Sequence, residues 1–294
     1  MNTTTKLISA AAVAATLLIG SSASQAAAPD TCLGEKATIV GTEGDDAIAG
    51  TNNDDVIVSL GGNDMINARD GDDMICAGDG NDRIDGGDGF GDLIEGGPGD
   101  DWVNGGEAAI TLASYNEAAG PVTVDLTAGT ATGDGNDRLV NVNAVLGSEH
   151  DDVIKGNKGL NFLLGGGGND QIFGGGFVDL ISGDAGDDIL DGGMGRDTVS
   201  YYEAPNGVAV NLSTGRAAGW GKDRLAHIED VDGSRYADRL TGAWNSNLLE
   251  GNGGADRLVG LGSNDLLKGD AGRDFADGGK GRDRCSAERR VRCP

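Results

Sequence analysis

The chain has 294 residues, of which 48 are Asp or Glu, 22 are Lys or Arg and 54 are Gly, while aromatic residues make up only 4%. So few large side chains argue against an ordinary globular core. The formal charge of −26 argues against nucleic acid or an anionic membrane as a partner, because both would be repelled, and it favours cations.

Residues 1–28 have the composition of a secretory signal peptide. Lys6 ends a short basic region, LISAAAVAATLLIG is apolar, and SSASQAAA offers small residues for cleavage near Ala26 or Ala28. The apolar run has 14 residues, which is too short for a membrane anchor. We therefore predict a secreted, extracellular protein that does not insert into a membrane.

Residues 29–104 contain the first block of a nine-residue repeat, here called a nonad. GTEGDDAIA, AGDGNDRID and GGPGDDWVN are examples, with Asp at position six and Ile or Val at position eight. A disordered acidic linker has no reason to keep these positions two residues apart through seven cycles. The position-six residues of this block are Asp46, Asp55, Asp64, Asp73, Asp82, Asp92 and Asp101.

Two related inserts follow the first and second blocks. Residues 105–146 and 201–232 carry the alternating segments VTVDL and VAVNL, which are typical of strands. Comparison of the two copies predicts that Ile110 replaces the aspartate found at Asp197. Asp223, inside the second insert, is expected to lie outside the ligand set.

Nonads return in residues 147–200 and 233–285. Both blocks replace Asp with Asn at the same step, at Asn161 and Asn247. Residues 286–294 form a basic tail, which we interpret as a cap over the last turn in preference to a docking tail. The position-six aspartates are Asp152, Asp170, Asp179, Asp188 and Asp197 in the second block and Asp238, Asp256, Asp265, Asp274 and Asp283 in the third.

The nonad predicts an all-β fold, a parallel β-roll or β-solenoid with two β-rich inserts. Glycines in its first half permit a tight turn, and its last three residues suit a short strand with the middle side chain facing inward. Two nonads return the chain above its start, so aspartates of alternate nonads stack along each edge. Their mutual repulsion favours a hard dication that accepts many oxygen ligands, and Ca²⁺ fits this description.

The nonads GGPGDDWVN, AGDGNDRID, GDAGDDILD and GGMGRDTVS resemble the RTX, or haemolysin-type calcium-binding, repeat over residues 41–104, 147–200 and 233–285. The inserts and the C-terminal tail resemble those of secreted actinobacterial calcium-binding proteins. The resemblance implies several calcium ions held between turns by the position-six aspartates and turn carbonyls. The N-terminal signal peptide departs from family members that are exported through a C-terminal signal.

The four cysteines allow three pairings, of which Cys32–Cys76 with Cys285–Cys293 is the most local. Zinc is disfavoured because no CxxC spacing is present. The two histidines, His150 and His227, match no catalytic motif, so we predict a protein without enzymatic activity whose folding is coupled to Ca²⁺. The alternative is a calcium-scaffolded module that binds extracellular polysaccharide or the cell envelope.

Overall fold

The computed structural model describes residues 30–293, so the predicted signal peptide lies outside the described residues. Every regular element between residues 30 and 293 is a β-strand. In the same range, no helix is long and apolar enough to cross a membrane. The chain divides into two compact units, whose described parts are residues 30–149 and 150–293.

The first unit contains fifteen strands. They are β1 Thr31–Cys32, β2 Glu35–Lys36, β3 Ile39–Val40, β4 Ala47–Ala49, β5 Val56–Val58, β6 Met65–Asn67, β7 Met74–Cys76, β8 Arg83–Asp85, β9 Gly91–Glu95, β10 Trp102–Asn104, β11 Ile110–Ser114, β12 Thr123–Asp125, β13 Thr130–Thr132, β14 Asn136–Val140 and β15 Ala144–Leu146.

The second unit contains twenty-one strands. They are β16 Val153–Lys155, β17 Asn161–Leu164, β18 Gln171–Phe173, β19 Gly176–Phe177, β20 Asp179–Ser182, β21 Ile189–Asp191, β22 Met194–Gly195, β23 Thr198–Ser200, β24 Ala209–Asn211, β25 Arg216–Ala218, β26 Arg224–Ala226, β27 Asp230–Asp232, β28 Arg239–Thr241, β29 Leu248–Glu250, β30 Gly253–Gly254, β31 Arg257–Val259, β32 Leu266–Lys268, β33 Ala271–Gly272, β34 Phe275–Asp277, β35 Arg284–Ser286 and β36 Arg289–Val291.

Each unit is a parallel β-solenoid, which confirms the predicted fold class. Position-eight side chains stack in register, so that Ile48 pairs with Ile66 and Ile66 with Ile84. One rung is therefore two nonads, or eighteen residues. In the second unit Ile154, Ile172 and Leu190 stack in the same way and are fully buried. The apolar core is a ladder of these single inward side chains from the two facing sheets.

The inserts contribute strands to the same two sheets. In the first unit β14 lies parallel to β10 and β15 lies parallel to β11, while β12 and β13 form an antiparallel hairpin beside β14. In the second unit β26 lies parallel to β21 and β27 to β23. Each insert is thus an enlarged rung with a hairpin attached to it.

Each unit contains one disulfide. Cys32 of the β1–β2 hairpin bonds to Cys76, and Cys285 bonds to Cys293, which confirms the local pairing. The basic tail forms β36, which pairs parallel with β34. The Arg292 guanidinium makes an ion pair with Asp277, one strand away.

Candidate metal centre

The position-six aspartates form hydrogen-bonded ladders along the edges of each unit. The backbone N–H of Asp64 donates to Oδ1 of Asp82 at 2.7 Å, and that of Asp170 donates to Oδ1 of Asp188 at 2.9 Å. Each bond joins one rung to the next. The stacking that the repeat predicted is therefore present, and Oδ1 of each bonded carboxylate is occupied by a peptide N–H.

The second carboxylate oxygen, Oδ2, divides these residues into two groups. In thirteen turns Oδ2 is buried and has no hydrogen-bond partner. A buried carboxylate oxygen without a partner is energetically costly, so each of these Oδ2 atoms is a candidate ligand for a cation. We call these the open turns, and they belong to Asp64, Asp73, Asp82, Asp92, Asp101, Asp170, Asp179, Asp188, Asp197, Asp256, Asp265, Asp274 and Asp283.

Six other turns, which we call closed, leave no unpaired buried oxygen on the position-six side chain, and in five of them the backbone N–H of position two donates to that side chain. Thr42 donates to Oδ2 of Asp46 at 2.6 Å, and Thr51 donates to Oδ2 of Asp55 at 2.7 Å. Ser234 donates to Oδ2 of Asp238 at 2.7 Å. In these turns a peptide N–H already satisfies the oxygen that the open turns leave free. The closed turns are those of Asp46, Asp55, Asp152, Asn161, Asp238 and Asn247, and none of these carboxylates has an unpaired buried oxygen.

At position six, asparagine occurs only in closed turns. The backbone N–H of Asn157 donates to Oδ1 of Asn161 at 2.8 Å, and that of Ala243 donates to Oδ1 of Asn247 at 2.7 Å. An amide oxygen can accept this N–H as a carboxylate does, so the charge is dispensable there. The two substitutions seen in the sequence therefore have a structural reason.

The backbone conformation at position two separates the two groups. It is left-handed in all thirteen open turns, including the non-glycine residues Leu60 (φ 79°) and Leu261 (φ 76°), and in none of the six closed turns. The φ angle sets the direction of the N–H, which points at Oδ2 only in the closed turns. A left-handed leucine is strained, so its presence indicates that the open conformation is imposed by the surrounding turn.

The closed turns are the first two of every block. They cover the nonads that start at residues 41 and 50, at 147 and 156, and at 233 and 242. Two nonads make one rung. Each block of nonads therefore begins with one rung whose carboxylates or amides are satisfied by the chain itself.

Each insert contains a position-six aspartate that sequence reasoning missed. Asp137 accepts the N–H of Asp101 on Oδ1 at 3.2 Å, and Asp223 accepts that of Asp188 at 3.3 Å. The segments TGDGNDRLV (132–140) and AGWGKDRLA (218–226) are nonads, which was the available sequence signal. Asp223, which we expected to lie outside the ligand set, therefore belongs to the aspartate ladder.

A tyrosine hydroxyl closes these two insert turns. Tyr115 Oη donates to Oδ2 of Asp137 at 3.0 Å, and Tyr201 Oη donates to Oδ2 of Asp223 at 2.6 Å. Both tyrosines are buried, and burial together with the adjacent carboxylate raises the pKa of each phenol well above its usual value. The hydroxyl therefore keeps its proton and remains a donor.

The register also corrects the residue that replaces aspartate at the start of the first insert. Thr111 pairs with Asp92 on the preceding rung, and Ile110 pairs with Gly91. The repeat unit of Asp92 has ten residues, one more than a nonad, and so does the unit of Thr111. Thr111 therefore occupies the place equivalent to position six. The prediction for Ile110 was one residue out of register.

In the open turns of Asp170 and Asp179 a glycine brings Oδ2 of the aspartate close to a backbone carbonyl oxygen of the next rung. A methyl group placed on Gly165 would lie 2.1 Å from Oδ2 of Asp170 and 2.7 Å from the carbonyl oxygen of Gly183 on the next rung. The same pair of oxygens flanks Gly174, at 2.6 Å from Oδ2 of Asp179 and 2.6 Å from the Gly192 carbonyl oxygen. These glycines keep clear a corner that an alanine would fill.

The donor set suits a hard cation. Between residues 30 and 293 no three His, Cys, Asp or Glu side chains come close enough to hold a metal ion together. An ion in an open turn would therefore take one carboxylate oxygen per aspartate and complete its shell with backbone carbonyl oxygens. Ca²⁺ accepts six to eight oxygens in flexible geometry, so the residues present fit it.

Burial changes the acidity of the open-turn carboxylates. Burial and the neighbouring carboxylates raise the pKa of Asp170 to about 8, against the N–H bond from Asp152 that lowers it. The pKa of Asp179 is raised to about 7 and that of Asp265 to about 6, also mainly by burial. Without a cation, the folded state therefore holds protons that the unfolded chain releases at neutral pH.

This proton uptake predicts a pH dependence in EDTA. Because the folded pKa values lie above the unfolded value of 3.8, stability is fully present below about pH 4 and is lost as pH rises through 6 to 8. We expect the melting temperature in EDTA to fall between pH 5 and pH 8, followed by circular dichroism. Asp170→Asn should reduce this slope, and a melting temperature that rises over the interval would contradict the assignment.

The match to a known family covers most of the repeat. A family model described as the RTX calcium-binding nonapeptide repeat (4 copies) matches residues 40–75, 60–91, 77–109, 146–181, 177–199, 225–258 and 250–285. The chain belongs to this family. No curated protein matches the chain. The RTX matches include all thirteen open turns, and they extend over closed turns as well, so the family pattern alone does not separate the two groups.

Proposed function

We propose that the chain is an exported calcium-binding structural protein that binds Ca²⁺ at its open turns and completes its folding when it does so. The single observation that carries this is the unpaired, buried Oδ2 of thirteen position-six aspartates. Bound Ca²⁺ supplies charge neutralisation for these carboxylates. Because the sites require stacked rungs, the binding free energy is also folding free energy.

The ligand set that we propose is smaller than the repeat suggests. Of the seventeen position-six aspartates in the nonad blocks, Asp46, Asp55, Asp152 and Asp238 belong to closed turns and are not assigned to calcium. In the closed turns of Asp46, Asp55 and Asp238 a peptide N–H donates to Oδ2, the oxygen that a cation would bind in an open turn, and the two cannot occupy the same space. The thirteen open-turn aspartates remain as the proposed ligands.

We propose a structural role without catalysis because the polar side chains are engaged in contacts within the fold. The buried position-six carboxylates accept hydrogen bonds within the ladders and turns. The exposed His227 contacts Asp191 through Nδ1 at 2.7 Å. An extracellular location is supported by the two disulfides, which persist in oxidising compartments, and by the composition of residues 1–28.

Equilibrium dialysis against Ca²⁺ tests this ligand set on the mature chain. We expect no more than thirteen ions per chain, a loss of about two ions in the variant Asp256→Asn/Asp265→Asn, and no loss in the matched variant Asp46→Asn/Asp55→Asn. Equal losses in the two variants would overturn the division into open and closed turns. No calcium uptake at millimolar concentration would overturn the function itself.

A further inference from the structure

The charge of the chain is unevenly distributed. Residues 205–294 contain 14 Lys or Arg and 13 Asp or Glu, a net charge of +1, so the remaining residues carry −27. Seven of those 13 carboxylates are buried, whereas no Lys or Arg of this segment is. The accessible surface of this segment is therefore basic, although the whole protein is strongly acidic.

Arginines of this segment line up on one outward face. Position-seven side chains stack in the order Arg239, Arg257, Phe275 and Arg289 on the adjacent parallel strands β28, β31, β34 and β36. The three arginines are exposed and Phe275 is half-buried. Neighbouring strands lie about 4.8 Å apart, so the row presents guanidinium groups at a regular spacing. We call these four residues the arginine row.

Phe275 fixes the two arginines beside it. The guanidinium carbon of Arg257 lies 4.7 Å from the ring centroid of Phe275, and that of Arg289 lies 5.5 Å from it. Within residues 30–293 none of the three arginines of the row forms an ion pair, and Asp277 on the same sheet is already paired with Arg292. Guanidinium groups that are held in place and unpaired are prepared to bind oxyanions in a bidentate manner.

The first unit repeats the arrangement independently. Arg83, Trp102 and Arg138 occupy position seven of the parallel strands β8, β10 and β14. The guanidinium carbon of Arg83 lies 3.6 Å from the Trp102 ring centroid. Both arginines are exposed. An arginine–aromatic–arginine sequence across paired strand positions is thus a recurring feature of the described residues, with a ring contact shown for Arg83.

We infer that the arginine row is a docking surface for a linear acidic polysaccharide. The row crosses four adjacent parallel strands, and its unpaired cations match carboxylate or sulfate groups spaced along an extended chain. Duplex DNA carries about one charge per 1.7 Å, so the field of −27 from the rest of the protein opposes it more strongly than a sparsely charged sugar chain. Guanidinium groups next to Phe275 also restrict the ring face on which a base would stack.

Binding of the calcium-loaded full chain to immobilised polymers tests the inference. Chondroitin sulfate and hyaluronate present sulfate and carboxylate at low charge density, unmodified dextran is the neutral control, and duplex DNA represents nucleic acid. The variant Arg239→Gln/Arg257→Gln/Arg289→Gln removes the row. Its matched control, Arg273→Gln/Lys280→Gln/Arg282→Gln, removes the same charge from exposed turn positions of the same segment.

We expect the row variant to lose about tenfold or more in affinity for at least one acidic polysaccharide, and the control variant to lose about twofold or less. Calcium uptake should be unchanged in both variants, which separates this inference from the proposed calcium function. Equal losses in the two variants, equal binding of unmodified dextran, or tighter binding of DNA than of either acidic polysaccharide would overturn it.

Discussion

Asp179→Asn is expected to lower the melting temperature in calcium and to raise it in EDTA. In calcium the substitution removes the negative charge of one proposed ligand, whose Oδ2 is buried and unpaired. In EDTA the same substitution removes an uncompensated buried carboxylate. The amide oxygen can still accept the N–H of Asn161, which lies 2.8 Å from Oδ1 of Asp179. The two solution conditions therefore give effects of opposite sign.

The size of the effect follows from ligand linkage. Loss of one site occupied at a hundred times its Kd costs about 2.7 kcal/mol, which lowers the melting temperature by roughly 5–10 °C in a domain of this size. In EDTA we expect a gain of about 1–2 kcal/mol from removing the unsatisfied group. Thermal unfolding followed by circular dichroism, at one pH in both solutions, measures both changes.

Asp55→Asn is the matched control, because Asp55 is a position-six aspartate in a closed turn. Its carboxylate accepts hydrogen bonds from the N–H of Thr51 at 2.7 Å and from the hydroxyl of Thr38 at 3.0 Å. The substitution should cost about 1 kcal/mol in calcium and in EDTA alike. If Asp179→Asn lowered stability equally in both solutions, Oδ2 of Asp179 would have no role in binding a cation.

The repeat predicted the solenoid because its period carries the topology. Each nonad has an inward aliphatic at position eight and a turn in its first half, so alternate nonads can stack only with their position-eight side chains aligned. Ile48 pairs with Ile66 as this requires. The sequence did not predict which turns are open. That property depends on the φ angle at position two, where Asn157 in a closed turn and Asn252 in an open one have the same side chain.

The inserts were harder to interpret because the rung there has a different length. Asp101 and Asp137 are 36 residues apart along the chain and adjacent on the ladder. A search for nine-residue steps therefore passes over TGDGNDRLV and AGWGKDRLA, although both keep glycine before the aspartate and leucine two residues after it. The tyrosine partners lie 22 residues from their aspartates in the sequence, so a nine-residue repeat does not predict that they are in contact.

On the proposed function, the open turns depend on calcium, whereas the closed and tyrosine-closed turns do not. In each block of nonads the first rung leaves no unpaired buried oxygen on its position-six side chains, and in each insert a tyrosine hydroxyl donates to the position-six aspartate. Such rungs do not need a cation to satisfy their carboxylates. Because a solenoid folds through nearest-neighbour contacts, a satisfied rung is a natural starting point for the open turns that follow it.

Tyr201→Phe is expected to convert a tyrosine-closed turn into an open one. The substitution leaves Oδ2 of Asp223 buried and without the hydroxyl that now lies 2.6 Å away. Position two of this turn, Gly219, already has a φ of 137°, in the left-handed region shared by all open turns. In EDTA the variant should lose about 1–3 kcal/mol of stability, the cost of an unsatisfied buried carboxylate.

Calcium should reverse much of that loss, because the new open turn offers a charged oxygen to the cation. We expect one additional Ca²⁺ per chain in equilibrium dialysis, and two in Tyr115→Phe/Tyr201→Phe. Tyr202→Phe is the matched control, since Tyr202 is half-buried and its ring lies 4.5 Å beneath the guanidinium carbon of Arg235. An unchanged calcium count in Tyr201→Phe, together with a loss of stability that calcium does not relieve, would show that the hydroxyl is only a packing contact. A gained ion would show that the tyrosine hydroxyl satisfies, in each insert, the carboxylate oxygen that Ca²⁺ would otherwise bind.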